Sequence, residues 1–264
     1  MKKLLVALLL IVSSVLSFGA EKVSYEKLSF SNGYIYYNNQ EFTGEFEKKD
    51  PNTGIVKMVA SVKNGKLDGM SYTYDEIGRL IEETPYKNGL REGTGKAYYK
   101  SGVVSAKLTY KNDEYEGVQK YYYENGKLKV ELPYKNGIEV GIQKDYYENG
   151  KLKLELPYKN GVVDGLAKVY YPSGKTASIA TYKNGKKEGE QKDFYENGVI
   201  RLEILYKNDK MNGIGKKYST KGILVGEFTF KNDMLDGLVK KYNEITGKLE
   251  IESTYKNGKG EGLL

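Results

Sequence analysis

Two periodic sets of side chains hold the chemistry available to this chain. Lys96, Lys120, Lys144, Lys168, Lys192, Lys216 and Lys240 recur every 24 residues, and Tyr99, Tyr123, Tyr147, Tyr171 and Tyr195 follow them at the same interval. A row of ammonium groups suits an anionic polymer or membrane headgroups. A row of phenol rings suits sugars or a partner's side chains. Each set also has a plainer reading. A lysine on an otherwise apolar strand face can snorkel beside a tyrosine ring, with some cation–π gain. An exposed tyrosine is a good strand former. Equivalent rings lie two strands apart, roughly 9.6 Å at about 4.8 Å per strand, which is too far for mutual stacking but fits a ligand with repeating units. The binding candidates are Lys120, Lys144, Lys168 and Lys192 with Tyr123, Tyr147, Tyr171 and Tyr195.

Composition closes most other routes. The 264 residues contain no Cys and no His, which removes thiolate and imidazole metal sites and every Ser-His or Cys-His catalytic arrangement. Carboxylate pairs could serve a glycosidase. Here, however, Glu131, Glu155, Glu203, Glu227 and Glu252 recur with the repeat, and Glu124 and Glu148 sit singly in turns. A catalytic pair should break the periodicity, and no insertion is large enough to build a pocket. No catalytic residue, cofactor or metal ligand is expected; single turn acids do not make a calcium site. The net charge is 42 − 35 = +7, modest for a nucleic-acid partner, and the recurring glutamates weaken that reading further.

These side chains ride on one repeated element. The string Tyr-Lys-Asn-Gly/Asp-x-x-x-Gly starts at Tyr86, Tyr110, Tyr134, Tyr158, Tyr182 and Tyr206, each 24 residues after the last. Within a unit, Gly117 to Tyr134 holds two strand-like runs around a glycine turn, which predicts a β-hairpin. Gly102, Gly126, Gly150, Gly174 and Gly198 follow a variable residue, Ile77 in the copy before them, so a three-residue loop with only glycine left-handed is expected. The other turn always carries asparagine, including Asn112, Asn136, Asn160 and Asn184, a residue that tolerates left-handed geometry. Both demands are structural. The register that unites the apolar series puts Tyr122 opposite Leu128 and Val118 opposite Leu132. Val118, Lys120 and Tyr122 would then share a face with Val130, Leu132 and Tyr134, and Tyr121 and Tyr123 would lie on the other.

The chain opens with an address. Lys2 and Lys3 precede an unbroken apolar run from Leu4 to Val12, then small residues around Gly19-Ala20, the pattern of a secretory signal peptide and too short for a membrane span. Cleavage after Gly19 places small residues at both recognition positions; a retained anchor is the competing reading. Export to periplasm, cell surface or medium is expected. The expected organisation is residues 1–20 as signal peptide, 21–44 as an N-terminal capping hairpin and degenerate repeat, and 45–264 as the tandem array.

Tyr-x-Asn-Gly-x-x-x-Gly followed by Tyr-Tyr-x-Asn-Gly-x-Leu, at a period of 24, resembles the variant form of the MORN repeat over about residues 37 to 262. The resemblance implies an all-β fold, an elongated, twisted antiparallel sheet of tandem hairpins. Many bacterial members carry the label of YwqK-like antitoxins, and the resemblance implies that role too. The first copy departs from the pattern, with Lys49 at the aromatic position and an added Asp50-Pro51-Asn52 stretch; atypical end copies cap such arrays. An outer-membrane barrel does not fit strands of six to eight residues with lysines on the apolar face. The resulting expectation is an exported, non-enzymatic array whose partner is a protein, a glycan or an anionic surface such as a membrane; the alternative is an immunity protein that neutralises a toxin.

Overall fold

The computed structural model describes residues 22–263; the signal peptide expected at residues 1–20 lies outside them. The described chain is all-β apart from one 3₁₀ turn, Tyr25–Lys27. One open sheet of 25 strands contains the whole array. Its hairpin strands pair antiparallel with their sequence neighbours, from Gly44–Lys49 with Val56–Lys63 to Met234–Tyr242 with Leu249–Lys256. A three-stranded sheet, Leu28–Ser31, Tyr34–Tyr37 and Gln40–Glu41, sits before the array. The compact core is at this end: Ile35, Phe42, Phe46, Ala60 and Val62 are buried together, with Tyr25, Leu28 and Met58 packed against them. Val23–Ser24 adds a parallel pairing to Phe46 and Glu47 and covers the first edge of the array.

Both turns follow from the residues that form them. At the glycine turn, the Gly126 amide bonds the Tyr123 carbonyl at 2.9 Å and the Tyr123 amide bonds the Lys127 carbonyl at 2.8 Å. That is a type I turn closed by a bulge, with Gly126 at φ +79°. At the asparagine turn, Asn136 has φ +49° and Gly137 φ +72°, and Lys135 pairs with Ile138. Two consecutive left-handed residues between paired strands make a type I′ turn, which explains why Asn is followed by Gly or Asp in the array and by a second Asn at Asn38-Asn39.

The register differs from the expected one. Tyr122 does oppose Leu128, but Tyr121 opposes Val130, so Lys129 is an extra residue in its strand. This second bulge slides the rest of the hairpin by one, and Val118 pairs with Pro133 instead of Leu132. The same shift recurs in every hairpin, at residues as unlike as Ile81, Ser105, Lys153 and Arg201. A slip of one residue exchanges faces. Val118, Lys120 and Tyr122 therefore share their face with Glu131 and Pro133. Gln119 and Tyr121 share theirs with Val130, Leu132 and Tyr134.

Neighbouring hairpins touch through short ladders. Val130 and Glu131 pair with Asp145 and Lys144 of the next unit. Each type I′ turn also stacks on the preceding one: the Gly137 amide bonds the Tyr115 carbonyl at 2.9 Å, and the Gly161 amide bonds Glu139 at 2.9 Å. A carboxylate before the closing glycine clips the next asparagine, with Glu116 accepting from the Asn136 amide at 2.9 Å and Asp164 from Asn184 at 2.9 Å.

Candidate binding surfaces of the array

The lysine stripe lies on a charged face, not the apolar one expected for it. The shifted register sets a glutamate opposite Lys120, Lys144 and Lys192 within their hairpins, the ladder to the preceding hairpin sets Glu155 opposite Lys168, and most pairs close. Lys120 meets Glu131 at 3.3 Å, Lys168 meets Glu155 at 3.7 Å, and Lys192 meets both Glu203 and Glu190 at 3.1 Å. Lys144 lies in register between Glu131 and Glu155, and among the described residues it forms no ion pair. The regular tyrosine of the next unit completes each group. Tyr146 donates to Glu131 at 3.0 Å, Tyr170 to Glu155 at 2.7 Å and Tyr218 to Glu203 at 2.8 Å. Partial burial, then the adjoining carboxylate, pushes the Tyr146, Tyr170 and Tyr218 hydroxyls up to about 12. Hydrogen bonds to Glu190 and Glu203 hold the Lys192 ammonium above its ordinary value. The stripe is thus a ladder of fixed Lys–Glu–Tyr groups whose charges largely cancel.

The second tyrosine stripe is tied down as well. Each hydroxyl donates to a backbone carbonyl of the following hairpin: Tyr123 to Tyr146 at 2.6 Å, Tyr147 to Tyr170 at 2.6 Å, Tyr171 to Phe194 at 2.5 Å and Tyr195 to Tyr218 at 2.9 Å. These bonds staple consecutive glycine turns, each worth about 1 kcal/mol as a net hydrogen bond. Lys129 and Lys153 lie over the rings of Tyr123 and Tyr147 at 5.5 and 5.8 Å. The structural glycines Gly102, Gly126, Gly150, Gly174 and Gly198 all have φ between +79° and +90°, and Asn112, Asn136, Asn160 and Asn184 lie between +49° and +52°.

On the opposite face the tyrosines that begin the repeat string form a packed line. The residue just after each type I′ turn fills the gap between rings two strands apart. Tyr110 stacks on Tyr115 with centroids 5.1 Å apart, and Tyr115 meets Tyr134 at 5.2 Å. Further along, Lys187 reaches over the Tyr206 ring at 4.9 Å. Gln119 is fully buried here, with its side chain bonded to both backbone groups of Thr109.

One surface feature escaped the sequence reading. The residue after the closing glycine is a large aliphatic in Val118, Ile142, Leu166, Ile214 and Leu238, and these are 41–57% exposed. They run beside the Lys–Glu ladder, backed by Pro133 and Pro157 in the first two units. Their recurrence is visible in sequence, but the expected register pairs Val118 with Leu132 and so hides it. Among the described residues no group of three or more acidic side chains gathers as a metal site.

Comparison with known families bears directly on this geometry. The family model described as the MORN repeat variant matches residues 91–112, 115–136, 139–160, 163–184 and 187–208. Each match runs from just after one type I′ turn to the next, so the family's unit is the structural unit. No curated protein matches the chain. Residues 91–208 are thereby identified as five tandem copies of the MORN repeat variant.

Proposed function

We propose that this chain is an exported, non-enzymatic scaffold that binds a protein along the face carrying Val118, Ile142, Leu166, Ile214 and Leu238. The observation behind this reading is that stripe: exposed aliphatics at the same position of successive repeats, interrupted by Glu190 between Leu166 and Ile214, and bordered by charged groups largely paired among themselves. An apolar line with a polar, charge-balanced border is the composition of a protein–protein interface. It favours a protein over an anionic polymer or membrane surface, because most of the lysines suited to those ligands, Lys120, Lys168 and Lys192 among them, are engaged with glutamates. Contacts repeat along the array, so each is weak and their sum is large.

A photoreactive phenylalanine analogue placed at Ile142, or at Glu124 in an exposed turn, tests the reading in the producing cell. Adducts to one protein from position 142 and not from 124, lost when Val118 and Leu166 are both changed to Asp, are expected. Equal adducts from both positions, or adducts only to lipid or glycan, would contradict it. Export is tested by N-terminal sequencing: a mature chain starting at Ala20 or Glu21 is expected, and retention of Met1 counts against it. Neutralisation of a toxin rests on the family resemblance alone; a toxin-like reading frame next to the gene would favour it.

A further inference from the structure

At the type I′ turns, the two residues flanking the turn face each other across the hairpin. In most units one is lysine and the other is aliphatic or acidic, as in Lys135 opposite Ile138, Lys159 opposite Val162 and Lys111 opposite Glu114. Two consecutive units break this pattern: Lys183 opposes Lys186, and Lys207 opposes Lys210. Like charges directly opposite on paired strands are destabilising. Two end units also oppose lysines, but there the charge is relieved. Lys66 lies over the Tyr34 ring at 4.8 Å, and Lys256 meets Asp236 at 3.3 Å. Among the described residues, Lys183, Lys186, Lys207 and Lys210 have no ionic, hydrogen-bonding or aromatic side-chain partner, unlike Lys120, Lys168 and Lys192 of the ladder.

The same four lysines line two adjoining open clefts. One, of about 400 Å³, is bounded by Lys183, Asn184, Lys186, Glu188 and Asn208. The other, of about 540 Å³, is bounded by Lys186, Lys207, Asn208, Lys210, Asn212 and Asn232. Lys186 and Asn208 belong to both, so the clefts form one groove. The nearby carboxylates are committed to backbone amides: Glu188 accepts from Asn208 at 2.9 Å, Asp209 from Lys187 at 2.7 Å and Asp233 from Met211 at 2.7 Å. The groove therefore offers ammonium and carboxamide donors, and each neighbouring acid has one oxygen turned to a backbone amide.

We infer that this groove is a binding site for a phosphate-bearing ligand, held between the paired lysines of the two turns. A phosphate monoester carries nearly two charges and several acceptor oxygens, which suits a groove lined by four ammonium donors better than a single carboxylate does. Binding would remove the repulsion within each lysine pair. The site involves none of the aliphatic stripe, so it stands or falls separately from the protein-binding face.

The test is calorimetric titration of the full chain with sodium tripolyphosphate at low salt. Saturable binding is expected, weakened about tenfold or more by Lys186→Glu or by Lys210→Glu, which removes one charge-assisted contact and adds a repelling carboxylate. Lys135→Glu, at a turn whose partner is Ile138, should bind as the parent does. Folding is checked in the absence of ligand, where Lys186→Glu should raise the low-salt melting temperature by removing repulsion. Poly(glycerol phosphate) against tripolyphosphate, at equal phosphate, tells a polymeric source from a small one, and tighter binding of either supports the site. Absence of saturable binding would overturn it, as would equal weakening by Lys135→Glu or equal affinity for polyglutamate of the same charge.

Discussion

Single residues matter most in this chain where backbone geometry leaves few choices. A Cβ at Gly126 would meet nothing within 4 Å, so crowding is not the constraint there; φ of +79° is. Gly126→Val should cost its hairpin about 1–2 kcal/mol from left-handed strain. Asn125→Ser should be mild, because Ser101 and Ser173 fill the equivalent slot. Hydrogen exchange across residues 117–134 separates the two, since a repeat array need not unfold in one step. Tyrosine ionisation gives a second readout. The Tyr170 hydroxyl is raised to about 12 by burial and by Glu155. A raised folded value means that its contribution to stability is complete below about pH 10 and declines as pH climbs from about 10 to 12. Melting temperature should therefore fall across that window. Glu155→Gln should move Tyr170 ionisation back toward the ordinary phenol value, as followed by tyrosinate absorbance. An unchanged titration would show that Glu155 plays no part.

At the scale of the hairpin, what the sequence reveals depends on how narrowly each position restricts its residue. Both turns are legible because left-handed backbone admits little besides Gly, Asn and Asp, and those residues recur without exception at Gly126, Asn136 and their equivalents. The second bulge is not legible. Lys129, Ile81, Ser105 and Arg201 occupy it in turn, with no type in common. Missing it turns Leu132 and Tyr134 to the wrong face and hides the pairing of Lys120 with Glu131. The staples from Tyr123 and Tyr147 are equally silent in sequence, because their acceptors are carbonyls of any residue. The hairpin is nonetheless the exchangeable unit. Deleting Gly141 to Asp164 removes one whole repeat and should leave a chain with native far-ultraviolet dichroism. Deleting only Gly141 to Leu152 removes a strand without its partner and should leave neighbouring ladders unpaired; a folded product would show that the repeat is not the unit of assembly.

Over the whole molecule, burial is uneven. Phe46 is 3% exposed in the N-terminal core, whereas Leu166, of the aliphatic stripe, is 47% exposed. Phe46→Ala should cost about 3–5 kcal/mol, and Leu166→Ala should barely alter stability while weakening partner binding. Thermal melts of the two variants check this contrast, and a large loss from Leu166→Ala would place that side chain in a buried core. Beyond the cap, each hairpin is supported mainly by its two neighbours, so the surface available to a partner grows with the number of repeats and not with the square of the chain's width. Small-angle scattering of the full chain measures that arrangement most directly. An asymmetric distance distribution reaching roughly 90–100 Å is expected from about twenty strands at about 4.8 Å each. A symmetric, compact distribution would contradict the open linear stack and, with it, the proposed extended binding face.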